Sequence, residues 1–189
     1  SLHDALPIWP RELAGLSLKN VTLTAKKGKK IVYNELGEML FTHVGVSGPL
    51  VLSASSRIAD EPEGTKLFID MKPALDEQTL EARILRDIEQ NKHKQMKNAI
   101  AGLLPARMMP IVLGLADVDP EKTTDSFTKA ERRLLVSILK AMPLTVRCAG
   151  DIGEAIITHG GVAVGGIDPK SMESKLVPGL YFAGEVIDV

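Results

Sequence analysis

Three short stretches of the chain set glycine beside a side chain able to do chemistry. In Thr42-His43-Val44-Gly45-Val46-Ser47-Gly48-Pro49, an imidazole and a hydroxyl sit among glycines, between an expected strand and an expected helix start. Backbone N–H groups at a helix N-terminus favour anionic ligand atoms. The plain alternative is a tight strand-to-helix turn with Ser47 near the cap. In Thr158-His159-Gly160-Gly161-Val162, a glycine pair follows an apolar run. Such a pair lets the backbone come close to a ligand or to another strand. In Val177-Pro178-Gly179-Leu180-Tyr181-Phe182-Ala183-Gly184-Glu185, a turn, an apolar strand and a small residue lead to an acid. This order puts a carboxylate at the carboxyl end of a strand, where open α/β sheets bind ligands. A carboxylate there can accept hydrogen bonds from sugar-type hydroxyls. A solvated turn acid would read the same way.

Other chemistries find little support. There is no G-x-G-x-x-G, P-loop, H-E-x-x-H or G-x-S-x-G. His3, His43, His93 and His159 have no ligand-like spacing, and the lone Cys148 cannot make an internal disulfide or a cysteine-based zinc site, so no metal is expected. A single cysteine points to a reducing, cytoplasmic compartment. The 189 residues carry a formal net charge of −1 and 4% aromatics, which gives no electrostatic footprint for nucleic acid and no stacking platform. Lys26 to Lys30 and Lys92 to Lys97 read as a solvated hairpin and a solvated helix face. The expected partner is a small-molecule substrate, with no nucleic acid. The longest apolar stretch, Met108 to Ala116, holds Pro110 and Gly114, so no membrane span is expected.

The elements that must position these residues follow from hydrophobic period. Leu16 and Leu18, then Val21, Leu23 and Ala25, alternate with polar residues, but the parity changes between Leu18 and Val21. A β-bulge near Lys19-Asn20 repairs it. Lys26 to Lys30 is a hairpin turn, Ile31 to Tyr33 the return strand, and Leu36-Gly37-Glu38 a second turn into Met39 to Thr42. Pro49 opens a helix that runs to Ala59, and Leu67, Ile69 and Met71 alternate as a strand. Residues 73 to 142 are mostly helical. Asp76 is an N-cap for a helix with Leu80, Ile84, Leu85 and Ile88 on one face. Met96 to Leu104 and Met108 to Leu115 are two short helices. Thr128-Lys129-Ala130-Glu131 is a capping box before Leu134, Leu135, Ile138 and Leu139. Leu144 to Ala149 and Ala155 to Thr158 are strands. This order of β, helical and β segments predicts an α+β fold.

The two ends stand apart. Ser1 to Ile8 fits no element that follows and looks like a non-native leader, so it is left out of the expected fold. The strand Gly179 to Ala183 has no helix after it to cover it, which predicts a fragment cut inside a domain.

Taken together, these motifs resemble a known family. The run from Gly160-Gly161-Val162 through Ile167-Asp168-Pro169-Lys170 to Pro178-Gly179-Leu180-Tyr181-Phe182-Ala183-Gly184-Glu185 is similar to that of BaiN/YhiN-type, aminoacetone oxidase-like, FAD-dependent oxidoreductases. Gly37 to His43 with Gly45 to Pro49 matches a second family motif, and Leu13 to Leu18 a third. The resemblance implies a β-barrel-like inserted domain carrying a helical subdomain, plus the last strands of a Rossmann-type FAD domain. The boundaries are then 9–72 for the β-rich part, 73–142 for the helical subdomain, 143–157 for the return strands and 158–189 for a partial FAD-binding domain. By the same resemblance, Glu185 contacts the FAD ribityl chain, Gly184 lets the backbone approach, and Gly160 and Gly161 lie near the flavin. His43 and Ser47 are substrate-side candidates. FAD is the implied cofactor and NAD(P)H a possible electron donor. Hydride would pass between flavin and a nicotinamide or a small organic substrate, in enone reduction or amine oxidation. This stretch alone should bind FAD poorly, since the family's amino-terminal glycine-rich segment is not in it. The competing reading is a non-catalytic binding module with a vestigial flavin motif.

Overall fold

The computed structural model describes residues 2–4, 9–58, 62–149 and 161–188. The chain divides into two units, Ser1–Gly150 and Asp151–Val189. The first is α+β, as expected: a closed six-stranded barrel with helices inserted into it.

The barrel is built from β1 (Leu2–Asp4), β2 (Ser17–Lys27), β3 (Lys30–Thr42), β4 (Gly45–Ser47), β5 (Lys66–Asp70) and β6 (Met142–Ala149). Around the wall they run β1-β4-β3-β2-β5-β6, every pair antiparallel. Period-two alternation fills its inside. Leu23, Ala25, Tyr33, Phe41, Leu67, Ile69, Leu144 and Val146 are buried. The short helix α1 (Trp9–Glu12) sets Trp9 edge-on to Phe41, ring centres 5.9 Å apart.

The bulge expected at Lys19-Asn20 is present. The β2–β3 register shifts between Leu18 and Val21, and Asn20 takes a positive φ of 55°. Two expectations are corrected. Leu36-Gly37-Glu38 is no turn: β3 runs unbroken through it, opposite Thr22 and Val21. Gly37 instead makes room for helix α2 (Pro49–Ile58), because a Cβ there would stand 3.0 Å from the Leu50 side chain. The second correction concerns the first eight residues. Leu2–Asp4 belongs to the fold, since β1 pairs with both β4 and β6 and closes the barrel. Residues 1 and 5–8 lie outside the described residues.

Between β5 and β6 the chain makes a helical excursion of α3 (Glu77–Gln90), α4 (Met96–Ala99), α5 (Met109–Leu115) and α6 (Lys129–Lys140). Asp76 caps α3, accepting from the Thr79 N–H at 2.7 Å. Leu80 and Ile84 are buried with Leu135 and Leu139, whereas Leu85 and Leu134 lie on the rims of their stripes and are exposed. The expected helix Met96 to Leu104 shortens to the four residues of α4. At the start of α6 the capping box forms in full. The Thr128 N–H donates to Glu131 Oε2 at 2.7 Å, and the Glu131 N–H donates to Thr128 Oγ1 at 3.2 Å. Burial presses the Glu131 carboxyl upward, but the Lys122 ammonium and the Thr128 donors outweigh it and hold the group below the ordinary range. A carboxyl depressed in the folded state stabilises the fold above its unfolded pKa and loses that contribution as pH falls through the folded value. Thr128→Ala should lower stability by about 1 kcal/mol and shrink this acid-side loss, since it removes one of the donors. Urea midpoints of the intact protein at neutral and acid pH check both.

The second unit is described over residues 161–188. Its strands are β7 (Val162–Ala163) and β8 (Ile187–Asp188), which pair in parallel. The expected buried strand Gly179 to Ala183 does not form. Leu180 and Tyr181 are 43% and 60% exposed, and Tyr181 makes one isolated bridge to Glu173. The segment is instead a loop tied to the residues before it. The Gly179 N–H donates to Glu173 Oε1 at 2.6 Å, and the Ser174 N–H to the Leu180 carbonyl at 2.7 Å. The expected strand Ala155 to Thr158 lies outside the described residues.

Candidate functional site

The His43 stretch is a tight β-hairpin followed by a helix start. Thr42 Oγ1 accepts from the Gly45 N–H at 3.1 Å and holds the turn between β3 and β4. His43 stands exposed at its tip and has no hydrogen-bond or ion-pair partner among the described residues. Ser47 ends β4 opposite Leu40. The two side chains therefore sit at opposite ends of a short strand, on the order of 10 Å apart along the chain. The structure does not bring them into one cluster. Gly48 then takes φ +97°, and a Cβ on it would stand 3.0 Å from Met39 Cα. The glycine is demanded by α2 starting directly over β3. This is the turn reading that the residues alone had left open.

Of the glycine pair, Gly160 lies outside the described residues. Gly161 answers the second open choice. A Cβ there would stand 2.5 Å from the Val186 carbonyl oxygen and 3.1 Å from the Asp188 nitrogen. The close approach it permits is to the strand β8.

Glu185 sits on a single 3-10 turn, Gly184–Val186, just before β8. It therefore precedes a strand, where the sequence had it following one. Gly184 has φ +78°, and nothing lies within 4 Å of where its Cβ would stand. The Glu185 side chain is exposed, with no partner among the described residues. An open left-handed glycine and an unengaged carboxylate fit the demands of a polyhydroxy chain, which needs a close backbone and an acceptor for its O–H donors. That is a fit to the ribityl part of FAD.

Beside this turn lies a hollow of about 370 Å³, lined by Val164, Ile167, Pro169, Met172, Lys175, Gly184 and Ile187. Sequence reading missed it. The available signal was Asp168-Pro169-Lys170-Ser171, where the Asp168 carboxylate accepts from the Lys170 and Ser171 N–H groups at 2.9 and 3.0 Å. The Ser171 and Lys170 backbone donors hold its carboxyl below the ordinary range. The turn they make carries Pro169 and Met172 into the hollow. Among the described residues, no three His, Cys, Asp or Glu side chains gather as a metal site. No helix among them is long and apolar enough to cross a membrane.

A family model described as HI0933-like protein barrel and H2TH domain matches residues 3–157. The chain is 32% identical over 189 residues to the Escherichia coli ribosomal RNA dihydrouridine synthase, covering all of this chain and 44% of that protein. It is 34% identical over 177 residues to the Haemophilus influenzae ribosomal RNA dihydrouridine synthase, covering 94% and 41%. It is 25% identical over 170 residues to a 3-dehydro-bile acid delta(4,6)-reductase of Clostridium scindens, covering 88% and 42%. The chain thus spans less than half the length of each of these relatives.

Proposed function

The chain belongs to the HI0933-like barrel and H2TH domain family, and from that premise we propose that it is part of an FAD-dependent oxidoreductase that saturates a carbon–carbon double bond conjugated to a carbonyl. The observation that carries this is the convergence of the relatives' names. Dihydrouridine is a uracil ring saturated at the bond next to a ring carbonyl. A 3-dehydro-delta(4,6) steroid carries double bonds conjugated to its 3-keto group. Both are enone-type reductions, one of the two chemistries that the family resemblance left open.

When bound, FAD supplies the hydride, with NAD(P)H as its source. The chain's own residues bind and orient. Glu185 accepts from ribityl hydroxyls, and Gly184 lets the backbone come close. Gly160 and Gly161 belong to the neighbouring segment, and residues 158–189 to a Rossmann-type domain of the BaiN/YhiN kind. His43 and Ser47 remain the substrate-side candidates. The substrate we favour is a uridine in RNA, because two relatives above 30% identity are named for ribosomal RNA. This reading departs from the small organic substrate that the resemblance implied and from the expectation of no nucleic acid drawn from composition.

The test is the visible spectrum of the intact protein. Flavin bands that bleach with NADPH and recover on adding uridine-containing RNA support the reading. A colourless protein that takes up no added FAD overturns it. Glu185→Ala in the intact protein should weaken FAD retention by about 1.5–3 kcal/mol, the worth of a hydrogen bond to a charged acceptor. Flavin affinity equal to wild type by fluorescence titration removes the role given to Glu185.

A further inference from the structure

The outer wall of the barrel carries two adjacent rows that differ sharply in chemistry. Because Leu23, Ala25, Leu67, Ile69, Leu144 and Val146 point inward, their alternates point out. Register then aligns Asn34, Thr24, Phe68 and Pro143 across β3, β2, β5 and β6. The next row toward the hairpin is Ile31, Lys26, Lys66 and Thr145. Lys29 and Lys30 continue the charge at the β2–β3 tip, where both are exposed. Lys26 Nζ sits 5.0 Å from the centre of the half-buried Phe68 ring. Asn34 donates to Thr24 Oγ1 at 2.7 Å beside it.

Many cations of the helical excursion are paired. On the helical excursion Arg83 pairs with Asp87, Lys92 with Glu89, Lys97 with Glu121, Lys122 with Glu131 and Arg132 with Glu81. These five pairs offset much of that surface's charge, though Arg86, Lys129 and Arg133 pair with no carboxylate among the described residues. Among the described residues, Lys26, Lys29, Lys30 and Lys66 pair with no carboxylate. Lys27, between them, is already engaged. Asp70, the acid of β5, is held by Lys140 at 2.6 Å.

We propose that this wall is an RNA-docking surface, with Lys26, Lys29, Lys30 and Lys66 on backbone phosphates and Phe68 beneath an unstacked base. The inference rests on the RNA reading above and deepens it. Four cations without carboxylate partners fit a polyanion, and a half-exposed aromatic ring set among them fits a base, since every base offers a face to stack on. A net charge of −1 for the whole chain does not oppose this, because the charge is unevenly spread and the wall's lysines stand together.

The experiment is anisotropy titration of a fluorescein-labelled, uridine-containing RNA hairpin with the intact flavoprotein at several salt concentrations. The triple variant Lys29→Ala, Lys30→Ala, Lys66→Ala should bind about tenfold more weakly and flatten the log–log salt slope by about 2. Phe68→Leu should lose about fivefold or more in affinity with the slope unchanged. Lys92→Ala with Lys97→Ala should match wild type. If wild type binds RNA and both wall variants bind as well as it does, the surface is wrong while the RNA substrate stands. If wild type binds the RNA at no salt concentration, the RNA reading and the surface fall together.

Discussion

Gly48→Val should cost roughly 3–5 kcal/mol, enough to leave a marginal barrel largely unfolded at physiological temperature. Two independent penalties meet at this position. Its φ of +97° is one that a β-branched residue essentially never adopts. Its Cβ would also stand 3.0 Å from Met39 Cα and 3.2 Å from the Leu40 nitrogen. Both neighbours are strand backbone, so no side chain can swing away to make room. Gly64 provides the control. It has φ +75° and nothing within 4 Å of its Cβ position, so Gly64→Ala should show the backbone penalty alone, about 1–2 kcal/mol. Denaturant midpoints of the two variants separate strain from collision. Equal losses would mean that the approach of α2 to β3 is not what requires glycine at 48.

Lys140→Met should cost roughly 2–4 kcal/mol, more than a surface ion pair is worth. The ammonium at the end of α6 makes three contacts where the helices leave and rejoin the barrel. It pairs with Asp70 at 2.6 Å and donates to the carbonyls of Lys72 at 3.0 Å and Leu75 at 2.7 Å. The Lys140 and Asp70 side chains are only 17% and 20% exposed, so solvent replaces the lost bonds poorly. Methionine keeps the stem's packing and deletes the charge, which isolates the electrostatic part. Thermal unfolding of the intact protein checks it, with Lys140→Arg expected to recover part of the loss. A melting temperature unchanged by the methionine variant would show that apolar packing alone holds the two parts together.

What the sequence disclosed was what is decided locally. The bulge at Lys19-Asn20 shows as a parity slip among neighbours. The Thr128 capping box is complete within four residues. Asp76 caps a helix whose stripe begins four residues later. What it concealed was decided at a distance. Gly37 looks like a turn residue because glycine usually is one, and the Leu50 side chain that explains it comes thirteen residues later. Leu2–Asp4 has too few residues to show alternation, and it is a strand only because β4 and β6 flank it. Leu180 and Tyr181 have the composition of a buried strand but lie exposed in a loop, since apolar content says nothing about which neighbours are near. The candidate site divides the same way. Gly184 and Glu185 were legible as a flexible residue before an acid, whereas the hollow beside them depends on how residues 164–175 fold back. The lysine hairpin was legible as charge. That Lys26, Lys29 and Lys30 lack carboxylate partners among the described residues, unlike Arg83, Lys92, Lys97, Lys122 and Arg132, needed coordinates.

The barrel's seam also orders events in time. β1 leaves the ribosome before the rest of the barrel, yet its pairing partner Ala149 for Leu2 comes only after the whole helical excursion. Strands β2 to β5 can pair as they emerge, because their contacts are close in sequence. The wall stays open, with one edge each of β1 and β5 unpaired, until β6 arrives. Inserting a self-capped helical excursion before the last strand adds little to the entropy of closing the loop, which grows only with the logarithm of its length. It does lengthen the interval during which two strand edges are exposed to other nascent chains.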